Sequence, residues 1–388
     1  MKKFLYFLAG MIVVFWMLYL VVLPLNVEKY FSPVEALPSE EWLIAKRHPL
    51  SNLFVSDMHA DTLLWHRSIA EKSELGHADI HRLRSASMGL QVFMSVIEAP
   101  KDVESDSIAQ EGDQITPITI LDKWPATTFD SYKQRALYQA SKLYKAEVNS
   151  NGKLKVVLNR EDLGASESWE AYQSPLFAIL GLEGAHATEF DIANLDILFE
   201  AGYRSMELAH YSDTPFAGSS SGMVKYGLTK NGEKLIQRMN EIGMIIDVAH
   251  LSQKAIIDVL ELTSKPVYSS HTGVFSKCPK ARNLSDDLIK QIAEQGGIIG
   301  IGFFKDAICG ESLSDLVESI VFVRDLVGAQ HVALGSGWDV APLAITPQQL
   351  PDLTRALLKQ GLSEQEVRMI MGDNVLRFFL NNLPAKGT

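Results

Sequence analysis

Imidazole and carboxylate side chains recur in this sequence at the ends of short apolar runs. His59 and Asp61 follow the first run, Glu183 follows a second, and His250 and His271 end two later ones. His59 and Asp61 have the same parity on an extended segment, so both side chains can point to one side. Glu183 ends a run that should be buried, and burying an unpaired carboxylate is costly. Together the five residues fit a pair of zinc ions bridged by a carboxylate.

Each of these residues has a plainer explanation when it is taken alone. The His59-x-Asp61 pattern is by itself a weak indication of a metal site. A lone histidine at the end of a buried run, such as His250 or His271, is more often a hydrogen-bonded core residue than a ligand. The prediction therefore depends on all five side chains reaching one place, and this requires a fold that brings several strand ends together.

The elements that must position these side chains alternate along the chain. The apolar runs are four to eight residues long, the length of a buried parallel strand, and they cover residues 53–56, 91–96, 177–182, 205–209, 244–249, 266–270, 298–303 and 332–335. Helical patterns with capping residues separate them, among them residues 229–242 and 285–295.

This alternation is typical of a closed (β/α)8 barrel or of an open doubly wound sheet. No G-x-G-x-x-G follows the first strand, which disfavours a dinucleotide-binding sheet, and the count of eight strands favours a (β/α)8 TIM barrel. In that barrel the carboxyl ends of the strands meet at one mouth, where active sites of this fold lie. Five strand ends would bring the imidazole and carboxylate groups, including His210 after the fourth strand, to that mouth.

Composition limits the remaining choices. The chain has 388 residues, of which 47% are hydrophobic, and its net charge is -11. This length suits one α/β barrel, and the negative charge argues against a nucleic-acid partner. Cys278 and Cys309 are too few for a disulfide framework. Their spacing leaves one bridge open, but two unpaired thiols are the expectation.

The N-terminus predicts a membrane anchor. Residues 4–25 are uncharged and apolar, long enough to span a bilayer, and residues 23–26 offer no signal-cleavage site of small residues. Lys2 and Lys3 precede the span and acidic residues follow it, so the N-terminus is expected in the cytoplasm. We predict a cytoplasmic start and transmembrane signal-anchor over residues 1–25, a tether over 26–50 and a catalytic domain over 51–384. A cleaved long signal is the alternative. The domain would lie outside the cytoplasm, facing the periplasm if the membrane is a bacterial inner membrane.

Over residues 57–379 the sequence resembles the membrane dipeptidases, also called renal dipeptidases or peptidase family M19. The segments that carry the resemblance keep their order and spacing: Asp57-x-His59-x-Asp61, Leu182-Glu183-Gly184, His210 with Asp213-Thr214-Pro215, Asp247-Val248-Ala249-His250-x-Ser252, Ser270-His271, Arg282-Asn283-Leu284 and Gly372-Asp373-Asn374-x-x-Arg377.

The resemblance implies a role for each residue. His59, Asp61 and Glu183 would hold one zinc ion, and Glu183, His250 and His271 the other, with Glu183 bridging. A water between the ions would attack the peptide bond. His210 would polarise the scissile carbonyl and stabilise the oxyanion. Arg282 would bind the C-terminal carboxylate of the substrate. For Arg282 a surface salt bridge is the competing interpretation.

One position departs from the family pattern. The eighth strand of the family ends in a motif whose first Asp contacts the substrate and can transfer a proton, and Gly337 occupies that position here. Asp339 matches the second Asp and has the parity of position 337, so it is a tentative catalytic substitute. Loss of general acid–base help typically costs about 10²–10⁴-fold in rate.

The sequence therefore predicts a membrane-anchored, zinc-dependent dipeptidase that hydrolyses dipeptides or short peptides. Two alternatives stay open: a non-catalytic or attenuated barrel that acts as a binding protein, motivated by Gly337, and a related hydrolase of amides or lactones. The sequence does not decide which dipeptide is cleaved or whether the chain forms a homodimer.

Overall fold

A parallel sheet of nine strands forms the centre of the molecule. The structure, a computed structural model, describes residues 2–17, 28–29, 47–101, 107–108, 112–171, 173–340 and 342–387. The strands are β1 Val55–Ala60, β2 Met88–Val96, β3 Leu154–Val156, β4 Leu176–Glu183, β5 Tyr203–Glu207, β6 Ile245–Asp247, β7 Tyr268–Thr272, β8 Ile298–Ile301 and β9 Val332–Leu334. Their order is β1-β2-β4-β5-β6-β7-β8-β9, and β3 pairs beside the start of β4.

The two ends of this order meet, so the sheet curves into a nearly closed barrel. Ala60 and Trp338 form a parallel bridge beyond β9. The Asp61 amide donates to the Trp338 carbonyl at 2.9 Å, and the Gly337 amide donates to the His59 carbonyl at 3.1 Å. The barrel prediction is confirmed, with two differences. The first strand extends to Ala60, past the predicted end at residue 56, and β3 was not predicted because its exposed Lys155 interrupts the apolar run.

Most of the helices lie in the intervals that the sequence pattern predicts, but the short helices Ile80–Ser85, Ile115–Leu121 and Lys305–Ile308 were not predicted. They are α1 Lys2–Met17, α2 Ile80–Ser85, α3 Ile115–Leu121, α4 Tyr132–Asn149, α5 Asn194–Glu200, α6 Lys230–Ile242, α7 Gln253–Leu262, α8 Asp286–Glu294, α9 Lys305–Ile308, α10 Leu313–Val327, α11 Leu350–Lys359, α12 Glu364–Arg368 and α13 Asn374–Asn382. The Thr229 side chain caps α6 by accepting from the Gly232 amide, and Ser285 caps α8 in the same way. Gly243 ends α6 at φ 79°, a left-handed conformation that favours glycine.

Apolar side chains fill the barrel and close one end of it. Met58, Val92 and Ile179 belong to a buried cluster that also includes Phe378 and Phe379 of α13. A second, larger cluster lies between the outer face of the strands and the surrounding helices. Because α13 packs against the interior cluster, the polar residues that end the strands face the opposite mouth.

The N-terminal segment is described only in part. Helix α1 is described over Lys2–Met17, and among the described residues there is no helix with the length and apolar character needed to cross a bilayer. Residues 18–25 of the predicted span and most of the predicted tether lie outside the described residues. In the tether, the described Glu28 is buried and its carboxylate pairs with Arg67 at 2.6 Å.

The expectation of two unpaired thiols was wrong. Cys278 and Cys309 form a disulfide with a Cα–Cα distance of 5.2 Å across 31 residues of sequence. The bond joins the loop after β7 to the end of α9, the short helix after β8. These two loops are distant in sequence but adjacent at the barrel mouth, and for this reason the spacing alone gave no indication of the bridge.

Candidate metal centre

Glu183 lies close to three of the other four predicted ligands, and the fourth, Asp61, contacts His59. His59 Nε2 lies 3.3 Å from Asp61 Oδ2 and 3.2 Å from Glu183 Oε1. His250 Nε2 and His271 Nε2 each lie 3.8 Å from the same Glu183 oxygen. Glu183 is therefore central to the cluster, in the position that a bridging carboxylate requires.

The second pair of imidazoles converges on one point. His250 Nε2 and His271 Nε2 are 3.0 Å apart, a separation suited to two nitrogens that bind the same ion. One oxygen or nitrogen from each of His59, Asp61 and Glu183 lies within 4.8 Å of the others, and the same holds for His250, His271, Glu183 and a further residue, Glu207. The structure thus brings all five predicted residues into two adjoining groups that share Glu183.

Hydrogen bonds behind the cluster fix the orientation of the imidazoles. The Ser270 hydroxyl lies 2.9 Å from His271 Nδ1 and 3.4 Å from His59 Nδ1, so the Nε2 atoms of both rings face the cluster. Asp247 accepts from the Ser270 amide at 3.0 Å. Asp57 accepts from the Ser336 amide at 2.7 Å. Buried carboxylates therefore tie neighbouring strand ends together, as supporting groups around metal ligands commonly do.

Burial and mutual charge shift the pKa values of the ligands in opposite directions. Burial lowers the pKa of His59, but the Asp61 and Glu183 carboxylates outweigh it and raise the value to about 10. Burial and the Glu183 charge raise the pKa of Asp61 to about 7. Burial, together with nearby cationic groups, lowers the pKa of His250 and of His271 well below the usual range. Both rings are therefore held neutral, the form that binds metal.

The donor set fits divalent metal ions. Imidazole nitrogens and carboxylate oxygens are ligands that zinc accepts. Asp61 Oδ1 is buried and has no hydrogen-bond partner among the described residues. Cations at this position would bind the unpaired oxygen of Asp61 and reduce the repulsion among the carboxylates of Asp61, Glu183 and Glu207. This state is more favourable than three buried carboxyl groups with only protons between them.

His210 and Arg282 lie beside the cluster. His210 follows β5; its Nδ1 is 3.1 Å from the Glu98 carbonyl and its Nε2 is 3.5 Å from Glu183 Oε2. Since a carbonyl only accepts, Nδ1 carries a proton, and Nε2 can donate only in the imidazolium form. Arg282 donates to the His271 carbonyl at 2.7 Å, and its guanidinium lies 4.4 Å from the centre of the Phe304 ring.

Asp339 does not join the cluster. Its carboxylate is fully buried, pairs with Arg67 at 2.5 Å and accepts from the Thr62 hydroxyl and the His77 amide. Burial would raise its pKa, but Arg67 and these hydrogen bonds hold that pKa well below the usual range. The parity prediction fails because β9 ends at Leu334 and the backbone then turns into left-handed conformations, with φ 73° at Gly337 and φ 81° at Asp339.

A cavity of about 580 Å³ opens over the cluster. Leu64, Trp65 and Ile115 contribute to an apolar part of its wall, and Arg282 and Lys305 contribute positive charge elsewhere on the wall. Gly337 also lines the cavity, so no carboxylate reaches it from that position. The cavity offers a cluster of ligands, a guanidinium and an apolar surface to one small molecule.

Sequence reasoning missed Glu207, the last residue of β5. Its side chain is fully buried, and neither carboxylate oxygen has a hydrogen-bond partner among the described residues. The burial argument that singled out Glu183 applies equally to Glu207, which lies inside the apolar run 205–209, so the signal was present in the sequence.

A parallel barrel with a carboxylate-centred imidazole cluster at its mouth defines a metal-dependent hydrolase. The profile of the family described as membrane dipeptidase, peptidase family M19, matches residues 46–383. The chain belongs to this family, and it is therefore a metallopeptidase.

Individual relatives agree with this assignment. The dipeptidase tcpJ of Claviceps purpurea is 28% identical over 318 residues, which cover 79% of this chain and 69% of the relative. An uncharacterized dipeptidase of Schizosaccharomyces pombe is 26% identical over 323 residues, 79% of this chain and 72% of the relative. A metallopeptidase of Rhodobacter sphaeroides, solved with a phosphinate mimic of the dipeptide L-Ala-D-Ala, superposes with a TM-score of 0.72 at 22% identity, over 86% of this chain and 99% of that one.

Proposed function

We propose that this protein is a zinc-dependent dipeptidase that binds two zinc ions and hydrolyses the peptide bond of dipeptides. The observation that carries the proposal is the meeting of His59, Asp61, His250 and His271 around Glu183 in a chain of the dipeptidase family. The Rhodobacter sphaeroides structure with a dipeptide mimic supports the choice of substrate class.

The chain supplies the groups that such a reaction needs around the metal centre. Two bound zinc ions would polarise the scissile carbonyl and lower the pKa of a water molecule between them. In its imidazolium form, His210 would donate from Nε2, which lies 3.5 Å from Glu183, to the oxygen that becomes negative. The Glu98 carbonyl holds the other ring nitrogen, so the imidazole keeps one orientation during the reaction.

Arg282 would recognise the substrate carboxylate. Its side chain lines the cavity, and the Phe304 ring and the His271 carbonyl hold the guanidinium in place. A guanidinium fork suits a carboxylate because it can donate two parallel hydrogen bonds. This contact favours short peptides, whose C-terminal carboxylate is close to the scissile bond. The apolar wall near Leu64 and Ile115 would receive an apolar side chain of the substrate.

A binding protein without turnover is the second candidate function. Gly337 leaves the cavity without the carboxylate of the family, and Asp339 is held by Arg67 away from the cluster. Against this candidate, all five candidate ligands are present and converge, and a site that performs no chemistry has little reason to keep all of them.

Metal analysis and a dipeptidase assay on the purified full chain test the proposal. We expect about two zinc ions per chain and the release of free amino acids from dipeptides with an apolar first residue. Removal of the metal with a chelator should stop the release, and added zinc should restore it. A folded, zinc-loaded sample that is inert against a broad panel of dipeptides would favour the binding protein. A sample that takes up no divalent metal would refute the metal centre itself.

We also propose that residues 4–25 anchor the protein in a membrane, with the barrel outside the cytoplasm. Helix α1 exposes large apolar side chains, with Phe4, Tyr6 and Phe7 at 68%, 76% and 64% exposure, and such a surface is unfavourable in water. The Cys278–Cys309 disulfide is in keeping with an oxidising compartment. In fractionated cells the full chain should sediment with membranes at high salt and alkaline pH, whereas a chain beginning at residue 26 should not. Recovery of both chains in the soluble fraction would contradict the anchor.

A further inference from the structure

Glu207 has no place in the five-ligand centre, although its side chain faces the same space. Ser205, two residues earlier on β5, points into the barrel, where its hydroxyl accepts from the Tyr268 hydroxyl at 2.8 Å. Residues two apart on a strand share a face, so Glu207 also points inward, at the level where β5 pairs with Asp247 of β6.

The environment of Glu207 is unfavourable for a carboxylate without a cation. The side chain is fully buried, and both oxygens lack a hydrogen-bond partner among the described residues. Burial, with the charges of Asp247 and Glu183, raises its pKa well above the usual value, while Arg282 opposes the shift. A buried carboxylate without a partner is costly, and a cation beside it would offset that cost.

The distances from Glu207 to its neighbours show that a metal ion could offset the cost of burying this carboxylate. One oxygen of Glu207 lies within 4.8 Å of a ligand atom from each of Glu183, His250 and His271. Those three residues are the complete ligand set proposed for the second ion. Glu207 therefore has the chemistry, the burial and the position of a fourth ligand for that ion.

We propose that Glu207 is a sixth ligand of the metal centre and binds the second ion together with Glu183, His250 and His271. The inference rests on the proposed two-metal function, and it gives the two ions different numbers of protein ligands. The ion at His59, Asp61 and Glu183 keeps three protein ligands, the number typical of a catalytic zinc with an open position. The ion at Glu207 has four, the number typical of a structural site, so it holds the cluster together and dissociates less readily.

Glu207→Gln tests this assignment because the amide has the same shape but no charge. The full-length wild type and variant are dialysed against a chelator-buffered zinc solution, and their metal content is measured. We expect two ions in the wild type and about one in the variant, with the affinity for the lost ion reduced at least about tenfold. Glu207→Asp, which keeps the carboxylate on a shorter side chain, should fall between them.

Cobalt reports the coordination directly and independently of activity. Titration with Co²⁺ should give a visible absorption that saturates at two ions per chain in the wild type and at about one in Glu207→Gln. Without metal, Glu207→Gln should unfold at a higher temperature than the wild type, since the wild type must either bury a charge or take up a proton at this position. This gain also shows that the variant folds.

Glu98→Gln is the matched control. Glu98 is another buried carboxylate near the cluster whose two oxygens lack hydrogen-bond partners among the described residues, although His186 Nε2 lies 3.9 Å from one of them. It belongs to neither group of converging ligands. Its variant should keep both ions and the wild-type cobalt spectrum. Two ions of unchanged affinity and an unchanged spectrum in Glu207→Gln would refute the sixth ligand and leave the dipeptidase proposal intact, whereas a wild type without metal would refute the proposed function.

Discussion

His210 differs from the other histidines of the cluster because a backbone carbonyl holds its Nδ1. Its Nε2 is free to face the substrate, 3.5 Å from Glu183. We predict that His210→Ala lowers kcat about 10²–10³-fold, the usual cost of losing one oxyanion donor, while zinc content stays at two. Steady-state kinetics and metal analysis on one preparation test this. A variant that loses zinc would show instead that His210 is a ligand.

Gly337 is the residue at which this chain departs from its family. We predict that Gly337→Asp raises kcat, because the new carboxylate would line the cavity. The substitution should also destabilise the fold by about 1 kcal/mol, since φ is 73° and an added Cβ would lie 3.0 Å from the Phe304 ring.

The matched control at this position is Gly337→Asn. Asparagine has the same shape and a similar tolerance of left-handed backbone, but it cannot transfer a proton. A higher kcat in the Asp variant alone would identify general acid–base help as the missing component. Equal rates in the two variants would mean that proton transfer does not limit turnover.

The buried carboxyl group of Glu98 should make the free energy of unfolding depend on pH. Burial, with the Asp113 charge, raises its pKa from 4.5 to about 7. The folded state therefore binds the proton more tightly than the unfolded state, and this stabilisation is complete below the unfolded pKa and lost as pH rises through 7. We predict that the wild type loses on the order of 2 kcal/mol relative to Glu98→Gln between about pH 5 and about pH 8. Denaturant titrations of both proteins at the two pH values measure the difference, and parallel pH profiles would contradict it.

Among the structural elements, the loops after β7 and β8 carry the substrate side of the site. Arg282 lies on the first loop and Lys305 begins the short helix α9 of the second. The Cys278–Cys309 disulfide joins the two. The disulfide therefore holds the loop of Arg282, the proposed carboxylate-binding residue, against the barrel, while the candidate metal ligands lie at the strand ends outside the bridged loops.

Removal of the disulfide should separate substrate binding from metal binding. In the chain-entropy view a bridge across a loop of this size contributes about 4 kcal/mol, and without it the Arg282 loop gains freedom. We predict that the paired Cys278→Ser and Cys309→Ser variant has a lower thermal midpoint and a raised KM, with zinc content unchanged. The wild type under reducing conditions is the control, and it should show the same lower thermal midpoint and raised KM as the double variant. An unchanged KM would show that the loop is held by its other contacts, such as the bonds from Asn283 to the Cys278 and Asp306 carbonyls.

For the whole molecule, the metal centre connects five strand ends across the barrel mouth. Carboxylates from β1, β4 and β5 approach one another there, and without cations they repel. We predict that complete removal of zinc lowers the thermal midpoint on the order of 10 °C, because ligand binding at 1,000 times Kd stabilises a fold by about 4 kcal/mol. Thermal unfolding with a chelator, and with zinc restored, measures the effect. A midpoint that stays constant after verified metal loss would show that the barrel does not depend on the ions.

The sequence alone predicted the barrel and the meeting of the five candidate ligands, for a physical reason. Buried parallel strands are short apolar runs, and their carboxyl ends must meet when eight of them close. His59, Asp61, Glu183, His250 and His271 each come at such an end, so the order of residues along the chain was sufficient to place them together.

The tertiary structure determined three features that the two-residue periodicity of strands does not predict. Asp339 was assigned by parity, but the left-handed backbone after β9 turned it toward Arg67. The disulfide depended on two loops that are adjacent only in the closed barrel. Glu207 was visible in the sequence as an acid in an apolar run, yet its significance required the distances to Glu183, His250 and His271. Local patterns fix which residues reach the mouth, and only the folded backbone fixes where each side chain points once the strands have ended.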